Sequence, residues 1–463
     1  MKARVLQGDC INVMRSFPDN SIDAIVTDPP YGLGKEPDPR KVLSAWLNDE
    51  AYQAGGSGFM NRKWDAFVPS PVVWMEALRV LKPGGHLLCF AGTRTQDWMM
   101  LALRMAGFQI RDVVMWLNGQ GFPKSQNASK SLDRAAGELG TEGRIFNVAG
   151  GVRATAPSKG YVPPAPVTED AQRYEGYGTA LKPAYEPIIV ARKPLIGRLA
   201  DNLTEYGTGA LNIDDCRVPT DENPSGERRK RGTSHLNGTF GNMGSPEMFT
   251  LQRKGEAIGR WPANIMHDGS PEAVGGFPDT GVSAGGSSGF RKNAVYGSYG
   301  RDEGFEAGVD PGFGDSGSAA RYFYCAKASI AEKEAGLEHR EGKRVTDGRS
   351  KVNDSPRNRD RTVRKNPHPT VKPLDLMRWC VRLVMPPDEK AILLDPFAGS
   401  GSTLCAAVLE GVHAVGIELD EDYCSIVRDR VKCAKAMVTW ANDLANEDLD
   451  EEVSVTGCDL RRE

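Results

Sequence analysis

The chain has 463 residues and a formal net charge of −3, and 40% of its residues are hydrophobic, which is ample for a large core. That length exceeds one ordinary domain, so a core carrying one or more inserted modules is expected. The charge excludes a globally basic nucleic-acid binder, and nine cysteines without a Cys-x-x-Cys pair suggest neither a zinc ribbon nor a disulfide framework. No run reaches the ~18 apolar residues of a membrane span, and Met1-Lys2-Ala3-Arg4 begins no apolar signal segment, so a cytoplasmic protein without membrane partners is expected.

In chain order, residues 3 to 9 and 22 to 27 read as strands joined by a short helix at 11 to 17. Residues 72 to 81 read as a helix, turned by Pro83-Gly84-Gly85 into a strand at 86 to 90. A helix at 95 to 106 stops at Gly107 and feeds a strand at 110 to 116. From 127 to 181 and from 195 to 361 the periodicity dissolves into Gly, Ser, Pro, Asn and charged residues, with a strand at 186 to 192 between them. Order returns with a helix opened by Lys372-Pro373, a strand at 391 to 394, a helix at 403 to 410, a strand at 414 to 418 and a helix from 423 to about 438. The remainder from 443 is acidic and reads as loose. Alternating strands and helices with short turns predict an α/β, doubly wound sheet.

Two motifs end apolar strands of that sheet, at the edge where open α/β sheets bind ligands. The first is Asp28-Pro29-Pro30-Tyr31. A carboxylate and a proline carbonyl there can accept both hydrogens of an exocyclic amino group, and Tyr31 offers a face on which a base can stack. The second is Asp395-Pro396-Phe397-Ala398-Gly399-Ser400-Gly401, whose small residues let backbone approach a ligand. One βαβ unit further on, Glu418 ends a strand where a carboxylate can accept from two ribose hydroxyls.

Together with Gly8-Asp9-Cys10 and His368-Pro369-Thr370-Val371-Lys372-Pro373, these motifs resemble the amino-methylating DNA methyltransferases that use S-adenosylmethionine, in the β-class order with the catalytic motif ahead of the cofactor motif. Gly121-Phe122-Pro123-Lys124-Ser125 and Lys182-Pro183-Ala184-Tyr185-Glu186-Pro187 are further family-like stretches. The resemblance covers residues 1 to 125, 181 to 194 and 363 to 440. It implies a Rossmann-like methyltransferase sheet with circularly permuted motif order and a large inserted target-recognition region. The expected division is 1 to 126 and 363 to 441 as the two halves of the core, 127 to 180 as an insertion, 181 to 194 as a core strand, 195 to 362 as the recognition region, and 442 to 463 as an acidic tail.

By resemblance, Asp28, Pro29, Pro30 and Tyr31 are catalytic. Asp9, Cys10, Thr370, Lys372, Asp395, Phe397, Gly399, Ser400, Gly401 and Glu418 hold the cofactor, with Asp9 at the adenine end and Lys372 facing the methionine carboxylate. Phe122 packs on the flipped base, and Arg357, Arg359, Arg361 and Arg364 contact phosphate within the basic stretch 340 to 365. A second basic cluster is Arg228-Arg229-Lys230-Arg231. No metal is expected. Double-stranded DNA is the expected partner, and a cognate restriction endonuclease and a homodimer stay open. Asp28 in first position favours adenine N6, with cytosine N4 as the alternative; an RNA adenine methyltransferase, a protein-glutamine methyltransferase and a catalytically inactive DNA-binding protein are weaker readings.

Overall fold

The computed structural model describes residues 2 to 55, 63 to 119, 125 to 138, 144 to 148, 158 to 162, 165 to 218, 260 to 280, 317 to 326, 330 to 344 and 363 to 446. It divides into one unit of residues 1 to 117 with 186 to 463, and a second of 118 to 185.

The larger unit is built on short apolar strands that pack on both faces. Among the described residues the strands of its main sheet are β1 (Ala3–Gln7), β2 (Ile22–Thr27), β3 (Leu81–Phe90), β4 (Gln109–Leu117), β5 (Tyr185–Arg192), β6 (Ile265–His267), β7 (Tyr324–Cys325), β8 (Ile392–Asp395) and β9 (His413–Glu418). They form one nine-stranded sheet in the order β1-β9-β8-β2-β3-β5-β4-β6-β7. The run β1-β9-β8-β2-β3 is parallel, and β5 returns antiparallel to β3. All six residues of β2 are buried. Successive side chains therefore alternate between two cores: Ala24, Val26, Leu88 and Phe90 join one cluster, Ile25, Leu87 and Cys89 the other.

Helices cover both faces. On one lie α1 (Cys10–Arg15), α2 (Pro39–Leu47), α3 (Pro71–Val80) and α4 (Gln96–Met105), sending Met14, Trp46, Trp74 and Leu103 into the second cluster. On the other lie α6 (Leu374–Val384), α7 (Ser402–Leu409) and α8 (Glu421–Asn446), which contribute Met377, Leu404 and Val427 to the first. The helix between them in sequence, α5 (Leu199–Tyr206), caps Pro83 through Asn202, whose amide donates to the Pro83 carbonyl at 2.9 Å. Local signals set these boundaries. Asp9 caps α1 by accepting from the Asn12 N–H, Pro39 and Pro71 sit in the first turns of α2 and α3, and Pro386-Pro387 follow α6.

Several expectations change. Helix α2 falls outside the expected elements although Asp38 and Pro39 announce it, and β3 starts at Leu81, with a register shift against β2 where the turn at Pro83-Gly84-Gly85 was expected. The stretch from 195 onward, pattern-free in sequence, supplies α5, the edge strand β7 and its neighbour β6; two- and three-residue strands are too short to show a period. Helix α8 extends to Asn446, so the first residues of the expected loose tail are helical. The smaller unit, close to the expected insertion, pairs Arg144–Val148 with Ser158–Val162 as a hairpin, and Asp133 of its helix Ala128–Ala135 accepts from the N–H of Val167 and of Thr168.

Candidate active site

Strands β8 and β2 lie side by side and parallel, Leu393 opposite Ala24 and Leu394 opposite Ile25. From this pair the sheet runs one way through β9 and the other way through β3, so their carboxyl ends open at a topological switch point. The two sequence motifs therefore meet. Thr27, just ahead of Asp28, donates its hydroxyl to Asp395 Oδ1 at 2.7 Å across 368 positions of sequence.

Each loop is held from beneath. Asp65, 3% exposed, accepts from the N–H of Tyr31 at 2.8 Å and of Gly32 at 3.1 Å, and the Thr95 hydroxyl donates to the Tyr31 carbonyl at 2.5 Å. Gly32 has φ +68, and a Cβ there would lie 2.8 Å from the Val68 nitrogen, so the motif can turn only at a glycine. On the other loop, Gly399 (φ +52) packs under the His368 ring, where a Cβ would meet Nε2 at 2.8 Å. The Gly399 N–H donates to Glu418 Oε2 at 2.8 Å, and the Asp420 N–H to Oε1 at 2.9 Å. Arg430 of α8, 3% exposed, donates to the Ser400 carbonyl at 2.7 Å and to the Ser400 hydroxyl at 3.1 Å.

Both loops line one cavity of about 770 Å³. Its wall includes Asp9, Cys10, Asp28, Pro29, Pro30, Tyr31, Thr370, Lys372, Asp395, Phe397, Gly399, Ser400 and Glu418, all singled out from sequence. Gly401 is absent from that wall. With φ +81 it caps α7, and a Cβ there would touch Val427 at 2.9 Å, so its role is to turn the chain. Tyr52, Phe67 and Tyr423 are among the other residues that line it. Phe122, Arg357, Arg359, Arg361 and the cluster at 228 to 231 lie outside the described residues. Arg364 is described, on a two-residue strand paired with Lys343, and it does not line the cavity.

Lys372 departs from expectation. Its ammonium is 2.7 Å from Asp28 Oδ2 and 3.3 Å from Glu186 Oε2, and Tyr31 donates its hydroxyl to that same Glu186 oxygen at 2.9 Å. The lysine is thus engaged on the side of Asp28 and is not held ready for a cofactor carboxylate. Sequence reasoning places Glu186 in a family-like stretch and at the start of a strand but gives it no role in the site; a carboxylate heading the apolar run Pro187-Ile188-Ile189-Val190 is its signal. Arg430 is missed too, although Val427, Val431 and Ala434 put its position on the apolar face of α8.

Burial governs the electrostatics. It raises the Asp28 carboxyl above its usual range against the pull of Lys372, and raises Tyr31 well above the ordinary phenol value, helped by Asp28 and Glu186. Burial works to lower Lys372, but Asp28 and Glu186 outweigh it and the ammonium ends above its ordinary value. Asp395 is pushed up to about 6 by burial, resisted by hydrogen bonds from Thr403, Thr27 and the Phe397 N–H. Burial also raises Glu418, against backbone hydrogen bonds from Asp420, Gly399 and Leu419. Among the described residues no cluster of side chains suited to a metal is found.

A family profile of DNA methylases, covering N6 and N4 methyltransferases, matches residues 22 to 429. The chain belongs to this N6/N4 DNA methylase family. Among curated relatives it is similar to a putative methylase YubD of Escherichia coli (strain K12), at 32% identity over 108 residues, 23% of this chain and 40% of that protein. It is 24% identical to the type II methyltransferase M.HindIII of Haemophilus influenzae over 233 residues, 45% of this chain and 64% of the relative. The chain thus spans less than two thirds of the length of these relatives. Among solved structures, a putative DNA modification methylase of Thermus thermophilus, TTHA0409, complexed with S-adenosyl-L-methionine, aligns with 93% of this chain and 94% of its own at 15% identity and a TM-score of 0.37. The cytosine-N4-specific PvuII DNA methyltransferase aligns with 97% and 94% at 10% identity and a TM-score of 0.39.

Proposed function

We propose that this DNA methylase family member transfers a methyl group from S-adenosylmethionine to the N6 amino group of an adenine turned out of duplex DNA. The observation that carries the reading is the cavity shared by the Asp28 to Tyr31 loop and the Gly399 to Glu418 loop. Membership of the DNA methylase family supports the reaction class.

The residues fit the cofactor. Gly399 and Ser400 bring backbone to the cavity wall, where a Cβ at Gly399 would collide with the His368 ring; Glu418 lines the same cavity as a hydrogen-bond acceptor for a ribose, and Asp9 sits beside Glu418, the Gly8 N–H donating to the Glu418 carbonyl at 2.9 Å. Phe397, Ile417 and Leu419 give an apolar wall for a purine. When bound, S-adenosylmethionine supplies an electrophilic methyl on a sulfonium.

An adenine amino nitrogen is a poor nucleophile because its lone pair is delocalised into the ring. Asp28 and the Pro29 carbonyl accept its two hydrogens, which draws that pair back onto nitrogen and aims it. Tyr31 supplies a stacking face that offsets part of the cost of unstacking the base. The new N–C bond forms as the methyl–sulfur bond breaks, its electron pair staying on a neutral thioether that leaves, and one proton then passes from the nitrogen to Asp28 or to water. No covalent enzyme intermediate is needed. Asp28 in first position, where the cytosine enzymes commonly have Ser, favours adenine.

DNA from a methylation-free host expressing the chain, digested to nucleosides and analysed by mass spectrometry, is expected to contain N6-methyladenine. N4-methylcytosine alone would overturn the base assignment, and methylation confined to RNA would overturn the substrate class.

A further inference from the structure

Asp28 has been described as an acceptor for a substrate amino group, yet one of its oxygens is already taken. Lys372 reaches it from the segment ahead of α6, with Nζ 2.7 Å from Oδ2. Only 7% of the lysine side chain is exposed, and the rings of Tyr31 and Phe90 lie 5.2 and 5.0 Å from the ammonium. A buried ammonium cannot withdraw into water to make room. Among the described residues its alternative is Glu186 Oε2, at 3.3 Å on its other side. Tyr31 donates to that oxygen at 2.9 Å and so restrains Glu186 toward the lysine.

We propose that Lys372 and Glu186 form a counterion switch for Asp28: Lys372 holds the carboxylate ionised and aimed in the empty site, and Glu186 receives the ammonium when a target amino group arrives. The inference rests on the amino-methylation reading above, with Asp28 as the acceptor. Buried alone, the Asp28 carboxyl would favour its protonated form, and a protonated carboxyl offers its hydrogen where an acceptor is needed. A single fixed cation would cure that defect and create another, because the incoming N–H would have to displace it with nothing to replace its partner. Two carboxylates flanking one ammonium avoid both problems, since a short movement exchanges one partner for the other.

The ionisable groups facing Asp28 are Lys372, Glu186 and Tyr31, with Asp395 and the Cys89 thiol near enough to interact. Lys372 favours the ionised carboxylate, whereas Glu186 opposes it. Removing one or the other must therefore move the Asp28 titration in opposite directions. A merely structural role for either residue would not produce opposite signs.

The test uses the full chain, duplex DNA and saturating S-adenosylmethionine, with single-turnover methyl transfer measured against pH. Lys372→Gln is expected to move the acidic limb upward by about one pH unit or more. Lys372→Arg should leave it near the wild-type position, and Glu186→Gln should move it down while slowing transfer at neutral pH. The carbon-13 titration of the Asp28 carboxyl in cofactor-free protein, assigned by its loss in Asp28→Asn, should shift in the same opposite senses. Limbs that stay in place, or that move together, would overturn the switch. If Lys372→Gln no longer binds S-adenosylmethionine by calorimetry, Glu186→Gln decides alone: a lower limb supports the switch and an unmoved one overturns it. Wild-type turnover in Asp28→Asn would sink the methylation reading itself, which an unmoved limb in Lys372→Gln and Glu186→Gln would not.

Discussion

Asp395 shows what a seam between two parallel strands does to a carboxylate. It is 2% exposed and, among the described residues, is held by hydrogen bonds rather than by a cation, so its pKa rises from 3.8 to about 6. A raised carboxyl pKa means that the folded state binds the proton more tightly than the unfolded chain. Its contribution to stability is therefore largest below about pH 4 and falls as pH rises towards 6, by about 3 kcal/mol in all. Urea titrations at pH 5 and pH 8 should show wild type losing more stability over that interval than Asp395→Asn. Glu418 carries a different burden. Glu418→Gln should weaken S-adenosylmethionine by about 1.5 to 3 kcal/mol for each charge-assisted bond to the ribose, read by calorimetry. Asp28, Asp395 and Glu418 were legible in the sequence because short motifs at strand ends announce them. The contacts of Glu186, Asp65 and Arg430 were not, because each acts on a segment distant in sequence, although Glu186 and Asp65 lie in stretches the sequence singles out.

At the scale of elements, the glycine loop is held from outside itself. Its own residues are too small to fix it, and Arg430 of α8 holds the Ser400 carbonyl and hydroxyl. Arg430→Met should lower the melting temperature and weaken S-adenosylmethionine together, since a buried bond from a charged donor is worth about 1.5 to 3 kcal/mol. Arg430→Lys should restore part of both, as thermal unfolding and calorimetry would show. Helix α4 was readable because its apolar positions recur at helical spacing and Gly107 stops it, and β2 because it is a short, mostly apolar run buried on both faces. Strands β6 and β7, with three and two residues, are strands only because β4 and its neighbours pair with them, and no local pattern encodes that.

At the scale of the whole molecule, the order of motifs along the chain says little about their place in space. The sheet brings β8 beside β2, and the last part of the larger unit completes the site begun by its first. How the protein would grip the proposed DNA substrate is a separate matter. Of the basic stretch from 340 to 365, three described cations are already engaged: Arg340 with Asp429 at 2.7 Å, Lys343 with Asp422 at 2.9 Å, and Lys365 with the Glu338 carbonyl at 2.8 Å. Arg357, Arg359, Arg361 and Arg364 remain the proposed phosphate contacts. Neutralising all four should weaken binding to every sequence alike and flatten the log–log salt slope by roughly 0.9 for each phosphate left without its arginine. An unchanged slope would remove the stretch from the DNA-binding surface.

On the proposed mechanism Asp28 carries methyl transfer in a cavity whose other loop holds the cofactor. Single-turnover transfer of labelled methyl to duplex DNA by Asp28→Asn, with S-adenosylmethionine affinity measured on the same preparation, tests it most directly. Retained cofactor binding with transfer reduced by several orders of magnitude is the expected result. Retained binding with near-normal turnover would contradict the account.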